Sequence, residues 1–247
     1  DRVLGRQVHR PAEVEAVVEA GLGEVANRVV QVVHAQRHAR GRRVEHVVGD
    51  RLTAVGRREG HRHLALTREL EASGINVHYE DNTALIPKGA ELVVYTPAVP
   101  AGHTELVYYR ENGYKVVKRS DVLQLISESS FNICIAGTHG KTTITTMTAH
   151  LLRDSGFGCN AFLGGIAVNY GTNFWSSEKN VCVIEADEYD RSFLKLSPDV
   201  AVITAMDADH LDIYGTAEAM EEAFIGFSKV IKPGGLLIRQ FGLKRGK

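Results

Sequence analysis

The sequence predicts an α/β protein built on a parallel β-sheet with helices covering both faces. Three observations carry that prediction. From about residue 65 onward, apolar runs of strand length alternate with amphipathic stretches of helix length. One of those strands passes through a glycine turn into a helix that opens with Gly140, Lys141 and Thr142. Two further apolar runs end in carboxylate clusters, and in such sheets ligands gather at the carboxyl ends of the strands.

The elements follow in order. LALTRELEASG has helical spacing and a glycine stop. INVHYE is a short strand, and AELVVYTPAVP is a strand running into a loop. TELVYYRENG reads as helix, YKVVKR as strand, and SDVLQLISES as a helix with Ser120 at its N-cap. FNICIAG is an apolar strand, and KTTITTMTAHLLRDSG is a helix closed by Gly156. NVCVIEADE and DVAVITAMDADH are strands with acidic ends. TAEAMEEAFIGFSKVI is an amphipathic helix, and GGLLIRQ begins another strand. The stretch FLGGIAVNYGTN, residues 162–173, has glycines and amides that suit either a loop closing on a substrate or a plain surface loop.

Composition narrows the class. Over 247 residues, 29 basic and 30 acidic side chains nearly cancel, which leaves no case for nucleic acid or an anionic membrane as partner. The 3 cysteines are an odd number without ligand spacing, so neither a disulfide nor a zinc site is expected. Cys134 and Cys182 lie inside apolar runs and read as buried thiols, consistent with a reducing, cytoplasmic setting. No apolar stretch approaches the roughly 18 residues of a membrane span, and no signal-peptide pattern opens the chain.

A break in composition lies near residue 65. Residues 1–64 hold 12 Arg and 6 His but no Lys, Ile, Phe, Tyr, Trp, Ser, Cys or Met. Apart from Asn27 and Thr53, every residue there has codons beginning with G or C. The segment is expected to be non-native, from a wrong reading frame or strand or a foreign fusion; a very high-GC origin is the rival account. Its window AEVEAVVEAGLGEVANRVVQVVHAQ suits an amphipathic helix. No function is read from this segment.

Three strand ends carry the chemistry. In AGTHGKTT, a strand, a turn containing Gly137 and Gly140, and a helix starting near Lys141 aim free N–H groups at an anion. Lys141 adds a mobile positive charge for the β/γ-phosphates, and Thr142 offers a hydroxyl to Mg²⁺. The familiar longer loop spacing would need glycine at 135, where Ile135 stands. IEADEYD supplies four acids in six residues, Glu185 to Asp190, suited to the nucleotide's Mg²⁺. DADHLD places His210 among three carboxylates, for a second metal or a charge-positioning role.

Together GTHGKTT, GGIAVNYGTN, IEADEYDRSFLKLSPDVAVIT and DADHLDIYG, in this order and spacing, resemble the Mur ligases of peptidoglycan synthesis, over about residues 66–238. The likeness is nearest to the members that join L-alanine to UDP-N-acetylmuramate. Those ligases use the shorter G-x-x-G-K-T loop, which Gly137, Gly140, Lys141 and Thr142 match. The resemblance implies ATP-dependent amide synthesis with ATP and Mg²⁺. The lactyl carboxylate becomes an acyl phosphate, and the amine of L-alanine displaces phosphate from it. It implies a nucleotide loop of Gly137, Thr138, His139, Gly140, Lys141, Thr142 and Thr143. Thr142 and Glu185 would hold one Mg²⁺, His210 would serve a second, and Glu188, Tyr189 and Asp190 would lie near the muramyl group. Lys141, Glu185 and His210 are the expected catalytic residues.

The resemblance also divides the chain. Residues 65–127 correspond to a remnant of a Rossmann-like UDP-sugar-binding domain, and residues 128–247 to a P-loop NTPase-like central ATP-binding domain. Two departures accompany it. No G-x-G-G-x-G loop occurs in residues 1–64, and Ala205 stands where many members have Asn. The central domain is expected to be truncated and the C-terminal domain absent, so that the chain alone is inactive. The other readings are the ligase that attaches a recycled tripeptide to the same muramyl nucleotide, and a non-catalytic ATP-binding fragment.

Overall fold

The computed structural model describes residues 99–243 throughout and, before them, residues 29–32, 53–55, 72, 76–78, 80–87, 90 and 92–96. The helix expected in LALTRELEASG lies, but for residue 72, outside the described residues.

An N-terminal sheet holds five parallel strands: β1 (Val29–Val32), β2 (Thr53–Val55), β3 (Val77–His78), β4 (Leu92–Tyr95) and β5 (Val116–Lys118), in the order β3-β2-β1-β4-β5. β1 and β2 belong to the segment set apart by its composition. Val30 of β1 pairs with both Thr53 of β2 and Val93 of β4, so the boundary expected at 65 falls within a single sheet. The amphipathic helix expected across Val29–Val32 is a strand instead. Stiff β-branched valines favour the pleated backbone over the helix. Helix α1 (Thr104–Glu111) packs Leu106 and Tyr109 onto Val93 and Val99.

Helix α2 (Arg119–Ser129) leads from β5 into the second sheet. Ser120 is not its N-cap: the helix starts one residue earlier, and Asp121 caps it by accepting the Lys118 N–H at 2.9 Å. A carboxylate at the third helical position reaches back to the cap backbone as the glutamate of a capping box does.

The second sheet has β6 (Phe131–Ala136), β7 (Asn160–Ala167), β8 (Thr172–Trp175), β9 (Val181–Glu185), β10 (Val200–Ile203) and β11 (Leu236–Arg239), in the order β11-β10-β6-β9-β7-β8. All neighbours run parallel except β7 and β8. Helices α3 (Lys141–Asp154), α4 (Leu211–Tyr214) and α5 (Ala217–Lys229) complete it. Alternation along the strands feeds two cores. Cys134, Ala136, Cys182, Ile184, Ala201 and Ile203 meet α2, α5 and Phe193 on one face. Ile135, Val183 and Leu163 meet Ala149 of α3 on the other. Phe193, Phe224 and Phe227 are buried against one another, with ring centroids 5.2 and 5.5 Å from Phe193. Cys134, Cys159 and Cys182 are free, buried thiols.

Residues 162–173, expected as a loop, are mostly strand: β7 and β8 form an antiparallel hairpin across this stretch. Its alternating Phe162 and Phe174 pair across the strands at 5.3 Å, while Val168 at the turn is exposed. Among the described residues no helix is long and apolar enough to cross a membrane.

Candidate nucleotide site at three strand ends

β6 lies between β10 and β9, so the carboxyl ends of all three open on one rim. At that rim β6 ends in the turn Gly137–Gly140, and α3 begins at Lys141. Gly137 and Gly140 have φ of +130° and +80°, values that L side chains rarely adopt. The turn is tied to β10: Thr138 N donates to Ala205 O at 3.1 Å, and Thr204 Oγ1 donates to Ala136 O at 3.2 Å. The first N–H groups of α3 have no acceptor within the helix and face the rim. Ala205 therefore serves through its backbone, which no side-chain reading of that position anticipates.

Glu185 closes β9 beside this turn. Its Oε1 accepts the Thr142 hydroxyl at 2.9 Å, and its Oε2 accepts the Gly164 N–H at 2.6 Å. Gly164 is thus a residue of the site. A Cβ there would lie 2.1 Å from Glu185 Oε1, so the first glycine of GGIA is the space the carboxylate needs. The signal was the glycine pair itself, but a period-two strand reading was required to interpret it.

The other acidic residues divide. Glu188 is fully buried and its Oε1 lies 2.6 Å from Lys141 Nζ, which also donates to Gly137 O at 2.7 Å. His210 Nε2 lies 3.8 Å from the same Glu188 oxygen, and the Tyr189 ring meets the His210 ring edge-on at 5.3 Å. Asp190 accepts the Ser192 N–H at 3.0 Å, turning the loop. His210 has φ 51°, a left-handed conformation for a non-glycine residue of the kind that clusters at functional sites. His139, exposed on the turn, lies 3.7 Å from Asp207. Lys141, Glu188 and His210 thus form one group, with Thr142, Glu185 and Gly164 a second beside it.

Sequence reading missed Arg119, Thr204 and Tyr214. Arg119 opens α2 within electrostatic reach of Asp187, Asp190 and Glu185, whose attraction opposes the lowering of its pKa by burial. α2 is held there by Lys195 Nζ, 2.5 Å from Asp121 Oδ1. Neither contact has a local sequence signal, because the partners are more than 60 residues apart.

Burial pushes Glu185 above the ordinary carboxylate range, against the opposing pull of the Gly164 N–H, Thr142 and Lys141. A carboxyl raised in the folded state gives its full stability below its unfolded pKa and loses it as pH rises through the folded value. Glu185→Gln keeps both hydrogen bonds, with the amide donating to the Thr142 oxygen. This variant is expected to melt higher than the unaltered chain at neutral pH, the gain vanishing near about pH 4, in thermal melts across pH.

The donor set fits a nucleotide-bound Mg²⁺. Thr142 and Glu185 offer a hydroxyl and a carboxylate side by side, and Mg²⁺ takes its remaining oxygens from phosphates and water. Among the described residues no group of three or more His, Cys, Asp or Glu side chains makes a self-contained metal site.

Comparison with known proteins gives two family matches. The Mur ligase middle domain matches residues 135–241, and a model described as Mur ligase family, catalytic domain, matches residues 58–130. The UDP-N-acetylmuramate–L-alanine ligase of Phocaeicola vulgatus is 54% identical over 185 residues, 72% of this chain and 40% of its own length. The same enzyme of Parabacteroides distasonis is 54% identical over 184 residues, again 40% of its length. The chain therefore spans about 40% of the curated relatives it matches. The solved UDP-N-acetylmuramate–alanine ligase of Thermotoga maritima superimposes with a TM-score of 0.67 at 27% identity, covering 79% of this chain and 44% of that one. The UDP-N-acetylmuramate:L-alanyl-gamma-D-glutamyl-meso-diaminopimelate ligase of Neisseria meningitides shares the fold, with a TM-score of 0.72 at 20% identity over 89% of this chain and 73% of that one.

Proposed function

Because residues 58–130 and 135–241 belong to the Mur ligase family, we propose that this chain is the ATP-binding part of a ligase that joins L-alanine to UDP-N-acetylmuramate. The observation that supports this most is the meeting of Lys141, Thr142 and Glu185 at one rim, in a chain 54% identical to ligases of that name. In this reading the triphosphate lies on the first turn of α3, with Lys141 at the β/γ-phosphates. Thr142 and Glu185 hold the Mg²⁺, which offsets the phosphoryl charge. His210 serves the second metal, beside Glu188.

The chemistry is two displacements. The lactyl carboxylate of UDP-N-acetylmuramate attacks the γ-phosphorus, the bond to the ADP oxygen breaks, and an acyl phosphate forms. The L-alanine amine then attacks the acyl carbon, the carbon–oxygen bond to phosphate breaks, and the amine proton is lost. Positioning and charge neutralisation carry both steps. Tyr189 and Asp190 are the loop residues we assign to the muramyl side. The three buried free thiols support a reducing, cytoplasmic setting.

Calorimetry with Mg-ATP tests the loop assignment: Lys141→Met is expected to weaken binding at least about 30-fold, since a charge-assisted contact to phosphate is removed. Equal binding by the variant would remove the loop as the site. For the enzyme that carries this chain, phosphate release from ATP is expected to require both UDP-N-acetylmuramate and L-alanine. Release with the tripeptide but not alanine would assign the recycling reaction instead.

A further inference from the structure

We propose that Glu188 is a positioning residue for the phosphate loop, holding the Lys141 ammonium in place with one N–H left over for a phosphoryl oxygen. This rests on the reading of Gly137–Thr143 as an ATP-phosphate site. An ammonium has three N–H donors. In this structure one reaches Gly137 O at 2.7 Å and one reaches Glu188 Oε1 at 2.6 Å. The two acceptors lie on different elements, the turn after β6 and the loop after β9, so the lysine is held from two sides. A free lysine side chain is rich in rotamers, and the two contacts remove much of that freedom before a ligand arrives.

Glu188 is itself fixed. Its carbonyl oxygen accepts the Tyr214 hydroxyl at 2.6 Å and the Arg191 N–H at 3.0 Å. Tyr214 is buried, and the Arg191 guanidinium lies 4.9 Å over its ring. Arg191 accepts a left-handed φ of 60° to make this turn. The carboxylate is fully buried, and its Oε2 has no hydrogen-bond partner among the described residues. A buried, half-satisfied carboxylate costs stability. That cost marks a group whose use is in binding, and the lysine it touches is the loop's phosphate ligand.

The experiment is a double-mutant cycle on the full chain, read by calorimetry with Mg-ATP and with AMP. Glu188→Gln is expected to weaken Mg-ATP binding about tenfold, the size of one charge-assisted hydrogen bond, and to leave AMP binding unchanged. In the Lys141→Met background the same substitution is expected to change Mg-ATP binding less than about twofold, because the group it positions is gone. Tyr214→Phe, which releases one hold on the Glu188 backbone, is expected to weaken Mg-ATP binding a few-fold in the same direction, and it carries the test if Glu188→Gln does not fold. Tighter or unchanged Mg-ATP binding in Glu188→Gln would overturn the inference, since the carboxylate would then only compete for the lysine. An equal loss in both backgrounds would overturn it as well. If the unaltered chain binds no Mg-ATP, the phosphate-site reading falls, and this inference with it. Binding without coupling sinks this inference alone.

Discussion

Gly137→Ala is expected to abolish Mg-ATP binding in calorimetry and to lower the melting temperature by on the order of 10 °C. Two independent costs meet at this residue. Its φ of +130° is a conformation that a side chain opposes, at about 1–3 kcal/mol. A Cβ would also lie 2.2 Å from Thr204 Oγ1, 2.7 Å from Ala205 N and 2.9 Å from Thr204 N. Two of those atoms are backbone of the segment leaving β10 and move only with the strand. The overpacking adds about 1–3 kcal/mol. Relief has to separate the turn from β10, which breaks the Thr138–Ala205 and Thr204–Ala136 hydrogen bonds that shape the loop. A variant with unchanged melting and unchanged Mg-ATP affinity would show that the turn is not held by this contact.

Gly164→Ala is expected to act on the metal side of the site. Its Cβ would meet all three carboxylate atoms of Glu185 within 2.5 Å, so the carboxylate must swing away and lose both the Gly164 N–H and the Thr142 hydroxyl. Outer partners of a metal-binding carboxylate typically change metal affinity about 10–100-fold. The Mg²⁺ dependence of ATP binding is therefore expected to shift to about 10–100-fold higher Mg²⁺, with a stability loss of about 1–3 kcal/mol. Titration of Mg²⁺ at constant ATP measures the shift. A variant with the wild-type Mg²⁺ dependence would remove Glu185 from the metal assignment. At the neighbouring Gly165 a Cβ meets only the Thr142 methyl, at 3.1 Å, so Gly165→Ala presses on the Thr142 side of the pair without touching the Glu185 carboxylate.

The local elements were legible wherever one physical rule dominated. Strand β6 and helix α3 follow from an apolar run, a glycine turn and Gly156 at φ +78°. Failures came where two rules competed. The glycines and amides of residues 162–173 suggest a loop, but a hairpin with paired phenylalanines outweighs them. Ser120 has the chemistry of a cap, yet Asp121 takes that work and Ser120 Oγ is left to accept from Lys195 at 3.4 Å. Val29–Val32 has helical spacing in its window but β-branched side chains, and it lies in the sheet.

At the site the residue types were legible, and their partners were not. From the sequence by itself came the α/β class, the turn at Gly137–Gly140, the anion-facing helix at Lys141 and the strand-end positions of Glu185 and His210. Those depend on neighbours within a few residues, where hydrophobic period and turn chemistry act. Only the tertiary structure decided that Glu188 rests on Lys141, that Gly164 makes room for Glu185, and that Thr204 and Ala205 hold the turn. Each of those contacts joins segments 21 to 68 residues apart. Their physical cause is the strand order, which brings β9, β6 and β10 side by side and lets side chains distant in sequence share one rim.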